Sequence, residues 1–167
     1  GIAMSLLNIV YQSPKDLAPA ERNARTHSKK QIRQIAQSIR TFGFTNPILT
    51  DKNNRIVAGH GRVEAAKLLD IGEVPTIKLE ELSDAQIRAY VIADNKLAEN
   101  AGWDASILAI EFRYLSELDL NFDLTVTGFD TPAIDLLLSA DQAPNDESDD
   151  IPPIDTSAPI SKSGDVW

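Results

Sequence analysis

Cysteine is absent from all 167 residues, which removes disulfides, thiolate metal sites and cysteine nucleophiles together. Histidine is scarce as well: His27 and His60 are the only two, too few imidazoles for a transition-metal centre built by the protein itself. No apolar run approaches the roughly 20 residues that a membrane span needs. The opening GIAMSLLNIVYQ lacks a basic flank followed by a long apolar segment, so no signal peptide is expected. These absences fit a cytoplasmic protein with no membrane partner. Basic residues are missing from one end of the chain: residues 104–167 carry 14 acids against 2 bases, net −12.

The remaining residues, 1–103, hold 14 bases and 11 acids, so a chain of formal charge −9 divides into a modestly basic body and an acidic tail. Residues 11–40 alone hold 7 bases against 2 acids, and Lys29, Lys30, Arg33 and Arg40 are candidates to meet DNA phosphates. The same four side chains fit a solvated helix face equally well. With 43 % apolar residues the chain can bury a core of ordinary domain size.

Leu7, Ile9 and Tyr11 alternate with polar positions and read as a strand, followed by a polar loop from Ser13 to His27. Ser28 is placed to cap a helix carrying Ile32, Ile35, Ala36, Ile39 and Phe42 at helical spacing, and Gly43 ends it. Residues 47–50 and 55–58 read as short strands about the turn-rich Asp51-Lys52-Asn53-Asn54, which predicts a hairpin. A short helix with Val63, Ala66, Leu68 and Leu69 closes near Gly72, and residues 74–79 read as another strand. Ser83 to Gln86 matches a capping box ahead of a helix with Ile87, Tyr90, Val91 and Leu97, running to about Asn100. Asp104 caps a further helix with Leu108, Phe112, Leu115 and Leu118, and Thr131-Pro132 starts a last one through Leu138. The fold class expected is α+β, a small mixed sheet packed with helices and followed by a short helical extension. The expected domains are 1–100, the helical extension 101–139, and a disordered acidic linker 140–167 rich in Asp, Ser and Pro.

The segment IVAGHGRVEAAKLL changes from a strand pattern to a helical one at Gly59-His60-Gly61-Arg62. A strand-to-helix junction leaves the first backbone N–H groups of the helix unpaired and outward-facing, which suits an anion. Two glycines allow close approach of a phosphate, Arg62 offers a planar fork of donors, and His60 can add a hydrogen bond or a proton. The same four residues also fit a tight turn whose arginine pairs with a nearby carboxylate. Asp94 and Asn95, followed by Lys96, bring hard oxygen ligands suited to Mg²⁺ on a nucleotide, and they equally fit a solvated helix end. Pro152-Pro153 lacks the acid and aromatic flanks of an amino-methyltransferase motif and reads as linker.

In order and spacing, NARTHS, QIRQIAQSIRTFGFTNPIL, IVAGHGRVEAAKLL, ADNKLAENAGWD and FDLTVTGFD resemble the ParB / sulfiredoxin superfamily. The resemblance runs from about Leu7 to Leu138 and is to the ParB-like domain at the front of bacterial and phage DNA modification methylases. It implies a DNA-associated, nucleotide-binding accessory domain that positions or regulates a methyltransferase domain lying beyond Ser163-Gly164-Asp165-Val166-Trp167. It also implies CTP or another nucleotide with Mg²⁺, DNA as a partner, and a homodimer. The partition proteins carry Gly-Glu-Arg-Arg at the turn, matched at Gly59 and Arg62 and replaced at His60 and Gly61. Their Glu-Asn-x-x-Arg is matched by Asp94 and Asn95, with Ala98 in place of the arginine, and Arg25 matches an arginine facing the same pocket. Sulfiredoxin chemistry needs a cysteine and is excluded. The Gly-His-His-Arg turn of the free-serine kinases lies closer, so a nucleotide-dependent enzyme, a small-molecule kinase or a nuclease, is the alternative. Nothing resembles a methyl-donor site, so methylation by this chain alone is not expected, whereas a weak NTPase activity fits the resemblance. The acidity of residues 104–138 argues against a DNA-reading helix-turn-helix there.

Overall fold

Ser28 accepts a hydrogen bond from the Gln31 N–H at 3.1 Å, and the Gln31 side chain accepts in return from the Ser28 N–H at 3.0 Å, so the predicted first helix opens with a full capping box. The computed structural model of the protein describes residues 6–21 and 26–142. These divide into two units, one up to Lys96 and one from Leu97 onward.

In the first unit the order is β1 (Ile9–Gln12), α1 (Lys29–Phe42), β2 (Ile48–Thr50), β3 (Ile56–Ala58), α2 (His60–Leu68), β4 (Val74–Lys78) and α3 (Asp84–Asn100), which ends beyond the unit boundary. The strands form one mixed sheet ordered β1-β4-β2-β3: β4 runs antiparallel to β1 and parallel to β2, and β2 pairs antiparallel with β3. The β2–β3 hairpin follows from its turn. Asp51 Oδ1 accepts from the N–H groups of Asn53 and Arg55, and Asn54 takes the left-handed conformation at φ 62°. The α+β expectation is therefore met.

The core of this unit joins Leu17, Ile48, Ile56, Val63, Ala66 and Val74, with Ile35, Ala36 and Ala65 forming the seam between α1 and α2. Each larger aliphatic side chain buried this way contributes about 1.5–3 kcal/mol. β1 departs from the alternating expectation: it lies at the sheet edge, and Ile9, Val10 and Tyr11 are all more than half exposed. An edge strand leaves both faces open when nothing packs over it. In α3, Ile87, Tyr90 and Val91 are half-buried, whereas Leu97, expected on the same face, is exposed and falls beyond the boundary of the first unit.

In the second unit, Asp104 accepts from the Ile107 N–H at 3.1 Å and starts α4 (Ala105–Ser116), as its sequence predicts. Asp130 caps α5 (Thr131–Gln142) by accepting from the Ala133 N–H, and this helix runs past the expected end at Leu138. Ala109, Phe112, Phe129, Ile134 and Leu137 form the core of the unit, with the Phe129 ring edge-on to both Phe112 and Trp103. The linker expected over 140–167 lies outside the described residues from position 143.

Candidate functional site

β3 delivers the chain to Gly59, which caps α2 in the left-handed conformation at φ 104° and, as a glycine, offers no side-chain cap to the first turn of the helix. That backbone suits glycine, and a Cβ at Gly59 would stand 2.8 Å from both Ile48 Cδ1 and Arg62 Nη2. The first-turn N–H groups have no intrahelical acceptors, so this helix start is a suitable seat for an anion.

The two histidines of the chain meet at this turn. His60 Nε2 accepts from the Ala20 N–H at 3.3 Å. Two further ties hold the same loop: Ala18 bridges to Arg55 beside β3, and Glu21 pairs with Arg55 at 2.6 Å. The Glu21 carboxylate pushes the Arg55 guanidinium further above its ordinary value, first by hydrogen bonding and then by charge. Past this loop the chain returns to the turn with His27, whose ring atoms Cε1 and Nε2 lie 3.3 Å from where a Cβ on Gly61 would stand. Ile35 Cδ1 fills the rest of that space at 2.7 Å, so Gly61 also lets α1 pack on α2.

Arg62 is 3 % exposed and donates through Nη2 to the Pro47 carbonyl at 3.0 Å. It thereby ties the first turn of α2 to the entry of β2, instead of standing out as a solvent-facing fork. Tyr90 of α3 lies close enough to feel it. Burial raises the Tyr90 hydroxyl above its ordinary pKa, the charge of Asp94 and a hydrogen bond with it raise it further, and Arg62 pulls it back down. The tertiary structure thus brings Arg62, Tyr90 and Asp94 into one electrostatic neighbourhood. Asn95 spends its amide nitrogen on its own helix, donating to the Val91 carbonyl at 2.7 Å, and its oxygen is the atom a hard cation would use. Among the described residues no three His, Cys, Asp or Glu side chains gather to hold a metal, so Mg²⁺ at Asp94 and Asn95 would need phosphate oxygens to complete its shell.

Lys29, Lys30, Arg33 and Arg40 are all exposed along α1. Arg25 lies outside the described residues. Sequence reading took His27 only as part of the loop segment 23–28, whose polar groups could reach a ligand but are ordinary in a loop, and counted Tyr90 as an apolar helix position. The signal that could have found His27 was its rarity, since a second histidine in a chain with only two invites the question of whether they meet.

A four-stranded mixed sheet, with a hairpin strand passing through a left-handed glycine into a helix, defines an α+β domain of the ParB type. Residues 7–96, just over half of the chain, match the ParB N-terminal domain, and the chain belongs to that family. Residues 106–163 match the ParB-methyltransferase HTH domain. The expectation from acidity concerned DNA reading by residues 104–138, and the match shows the helix-turn-helix family of the segment without testing that. Net charge governs attraction to phosphate and does not decide how helices pack.

Among relatives, the ParB-like nuclease domain-containing protein YnaK of Escherichia coli K12 is 50 % identical over 80 residues, covering 48 % of this chain and 92 % of YnaK. The nucleoid occlusion protein of Halalkalibacterium halodurans is 32 % identical over 114 residues, covering 65 % of this chain and 39 % of that protein. The probable chromosome 2-partitioning protein ParB of Deinococcus radiodurans is 29 % identical over 113 residues, covering 57 % of this chain and 38 % of its own. The chain thus spans about two fifths of the length of these last two relatives. Among solved structures, the C-terminally truncated ParB from Caulobacter crescentus complexed with CTP-γ-S superposes with a TM-score of 0.62 at 18 % identity, covering 93 % of this chain and 91 % of that one. At that identity the likeness shows a common fold. Among the described residues no helix is long and apolar enough to cross a membrane.

Proposed function

We propose that this chain is a nucleotide-responsive, DNA-associated accessory domain that positions or regulates a DNA methyltransferase. The observation that carries the nucleotide reading is the start of α2 at left-handed Gly59, a cap with no side chain of its own, with both histidines and Arg62 gathered around it. The CTP-γ-S held by a protein of the same fold supports CTP as the first ligand to try. A bound triphosphate with Mg²⁺ brings negative charge to the α2 turn. Gly59 and Gly61 give the phosphate room, His60 and Arg62 hold the surrounding chain, and Asp94 and Asn95 supply oxygens for the ion.

The exposed bases of α1 support contact with DNA phosphates, and the match of residues 106–163 to a methyltransferase-associated domain supports the choice of partner. The described part of the second unit carries Arg113 as its one base among nine acids, so electrostatic affinity for DNA resides in the first unit.

Thermal unfolding with CTP, ATP and ADP, with and without Mg²⁺, tests the reading. A ligand at 100 times its dissociation constant stabilises by about 2.7 kcal/mol, so CTP with Mg²⁺ is expected to raise the melting temperature clearly. No shift with any nucleotide would overturn the nucleotide reading and leave the family membership intact.

A further inference from the structure

α4 is apolar on two opposite sides. Ala109 and Phe112 face the core of the second unit, whereas Ile107, Ile110 and Tyr114, spaced by three and four residues, form an outward stripe in which each side chain is more than half exposed. Trp103, just before the helix, is also more than half exposed while its ring meets Phe129 edge-on. An exposed apolar stripe of this kind marks an interaction surface. The match to the ParB-methyltransferase HTH domain does not end with α5: it runs to residue 163, and over residues 143–163 the only large aliphatic side chains are Ile151, Ile154 and Ile160.

We propose that Ile151-Pro152-Pro153-Ile154 of the same chain docks on the outward stripe of α4, with both isoleucines along the stripe and the prolines against the flanking rings of Trp103 and Tyr114. Paired prolines bias a segment toward the polyproline II helix, where three residues make one turn, so positions 151 and 154 present their side chains on one side about 9 Å apart. The stripe from Ile107 to Tyr114 rises about 10 Å along α4, which matches that spacing. A conformation favoured before docking leaves little ordering entropy to oppose it, and aromatic-lined surfaces are the usual seats of such segments. From Gln142, the end of α5, the chain to Ile151 spans up to about 30 Å, enough to pass around a helix about 10–12 Å across. The tether also holds the segment at a local concentration on the order of millimolar, ahead of a second copy that must arrive from solution.

The absence of native cysteine makes disulfide trapping in the whole chain specific. Ile110→Cys is paired in turn with Ile154→Cys and with Ser148→Cys, which lies nearer to α5 along the chain and so closes at least as readily by random motion. Docking is expected to close the bond between positions 110 and 154 within one chain about tenfold faster than that between 110 and 148, and adding Ile151→Asp is expected to abolish the advantage. Ile110 is more than half exposed, so a cysteine there empties no core space. In a chain without any cysteine, Ile151→Asp/Ile154→Asp should bind more of an apolar dye than the parent does, because the stripe is uncovered. Equal closure rates for the two pairs, an advantage that survives Ile151→Asp, or dye binding unchanged by the double substitution would overturn the assignment. Disulfides that join two chains in preference to one would overturn it as well and give the stripe to a second copy.

Discussion

His60 Nε2 accepts the backbone N–H of Ala20 at 3.3 Å, joining residues 40 positions apart. The bond fastens the polar loop before α1 to the helix that begins at the candidate site. Replacing His60 by Leu leaves the Ala20 N–H without this acceptor at a cost of about 1 kcal/mol. Faster limited proteolysis between β1 and α1, at an unchanged rate within the α4–α5 unit, is the expected result.

Gly59 and Arg62 are predicted to be structural before they are functional. Forcing a Cβ into the left-handed conformation costs about 1–2 kcal/mol, and here it would also stand 2.8 Å from Ile48 Cδ1 and Arg62 Nη2, so Gly59→Ala is expected to lower stability by at least that amount in urea unfolding. Arg62→Met removes a guanidinium that is 3 % exposed and bonded to the Pro47 carbonyl. A loss of about 2 kcal/mol is expected, so diminished nucleotide binding in this variant counts against the site only when measured well below its own melting temperature.

Tyr90 offers a spectroscopic reading of the neighbourhood linking α2 and α3. Its hydroxyl is raised above the ordinary value near 10, first by burial and then by Asp94. The unfolded chain therefore loses this proton first as pH rises. The stabilising contribution is complete below about pH 10 and is lost as pH climbs through the folded value. Ultraviolet titration should show a late-ionising tyrosine that disappears in Tyr90→Phe. In Asp94→Asn it should ionise earlier, because a negative neighbour has been removed. An unchanged titration in Asp94→Asn would show that the two groups do not interact.

Lys29, Lys30, Arg33 and Arg40 form the exposed basic positions of α1. If they contact DNA, the logarithm of the binding constant falls linearly with the logarithm of salt, and each charge replaced by Gln reduces that slope by about 1. Fluorescence anisotropy with a non-specific duplex at several salt concentrations measures this. A slope that is the same in the fourfold Gln variant would place the DNA contact elsewhere.

Much of the architecture was legible because its determinants are local. Ser28 with Gln31, Ser83 with Gln86 and Asp104 each bond backbone groups within three residues, so the helix starts could be read from short spacings. The hairpin was readable for the same reason, since Asp51 organises its own turn. Charge bears on DNA contact and not on packing: residues 106–163 match a helix-turn-helix domain although residues 104–138 are acidic, because the apolar contacts among Phe112, Phe129 and Leu137 that build the unit do not depend on net charge.

By itself the sequence determined the order of the elements, their caps and the glycine-bearing turn, since all of these depend on interactions a few residues long. Only the tertiary structure decided what surrounds that turn. It buried Arg62 against Pro47, tied His60 to Ala20, laid His27 over Gly61 and brought Tyr90 within the field of Arg62. Those relationships join residues from 15 to 40 positions apart in the two hydrogen bonds alone. They exist because burial of the sheet and helix core forces the segments together, and no local pattern encodes which side chains then meet.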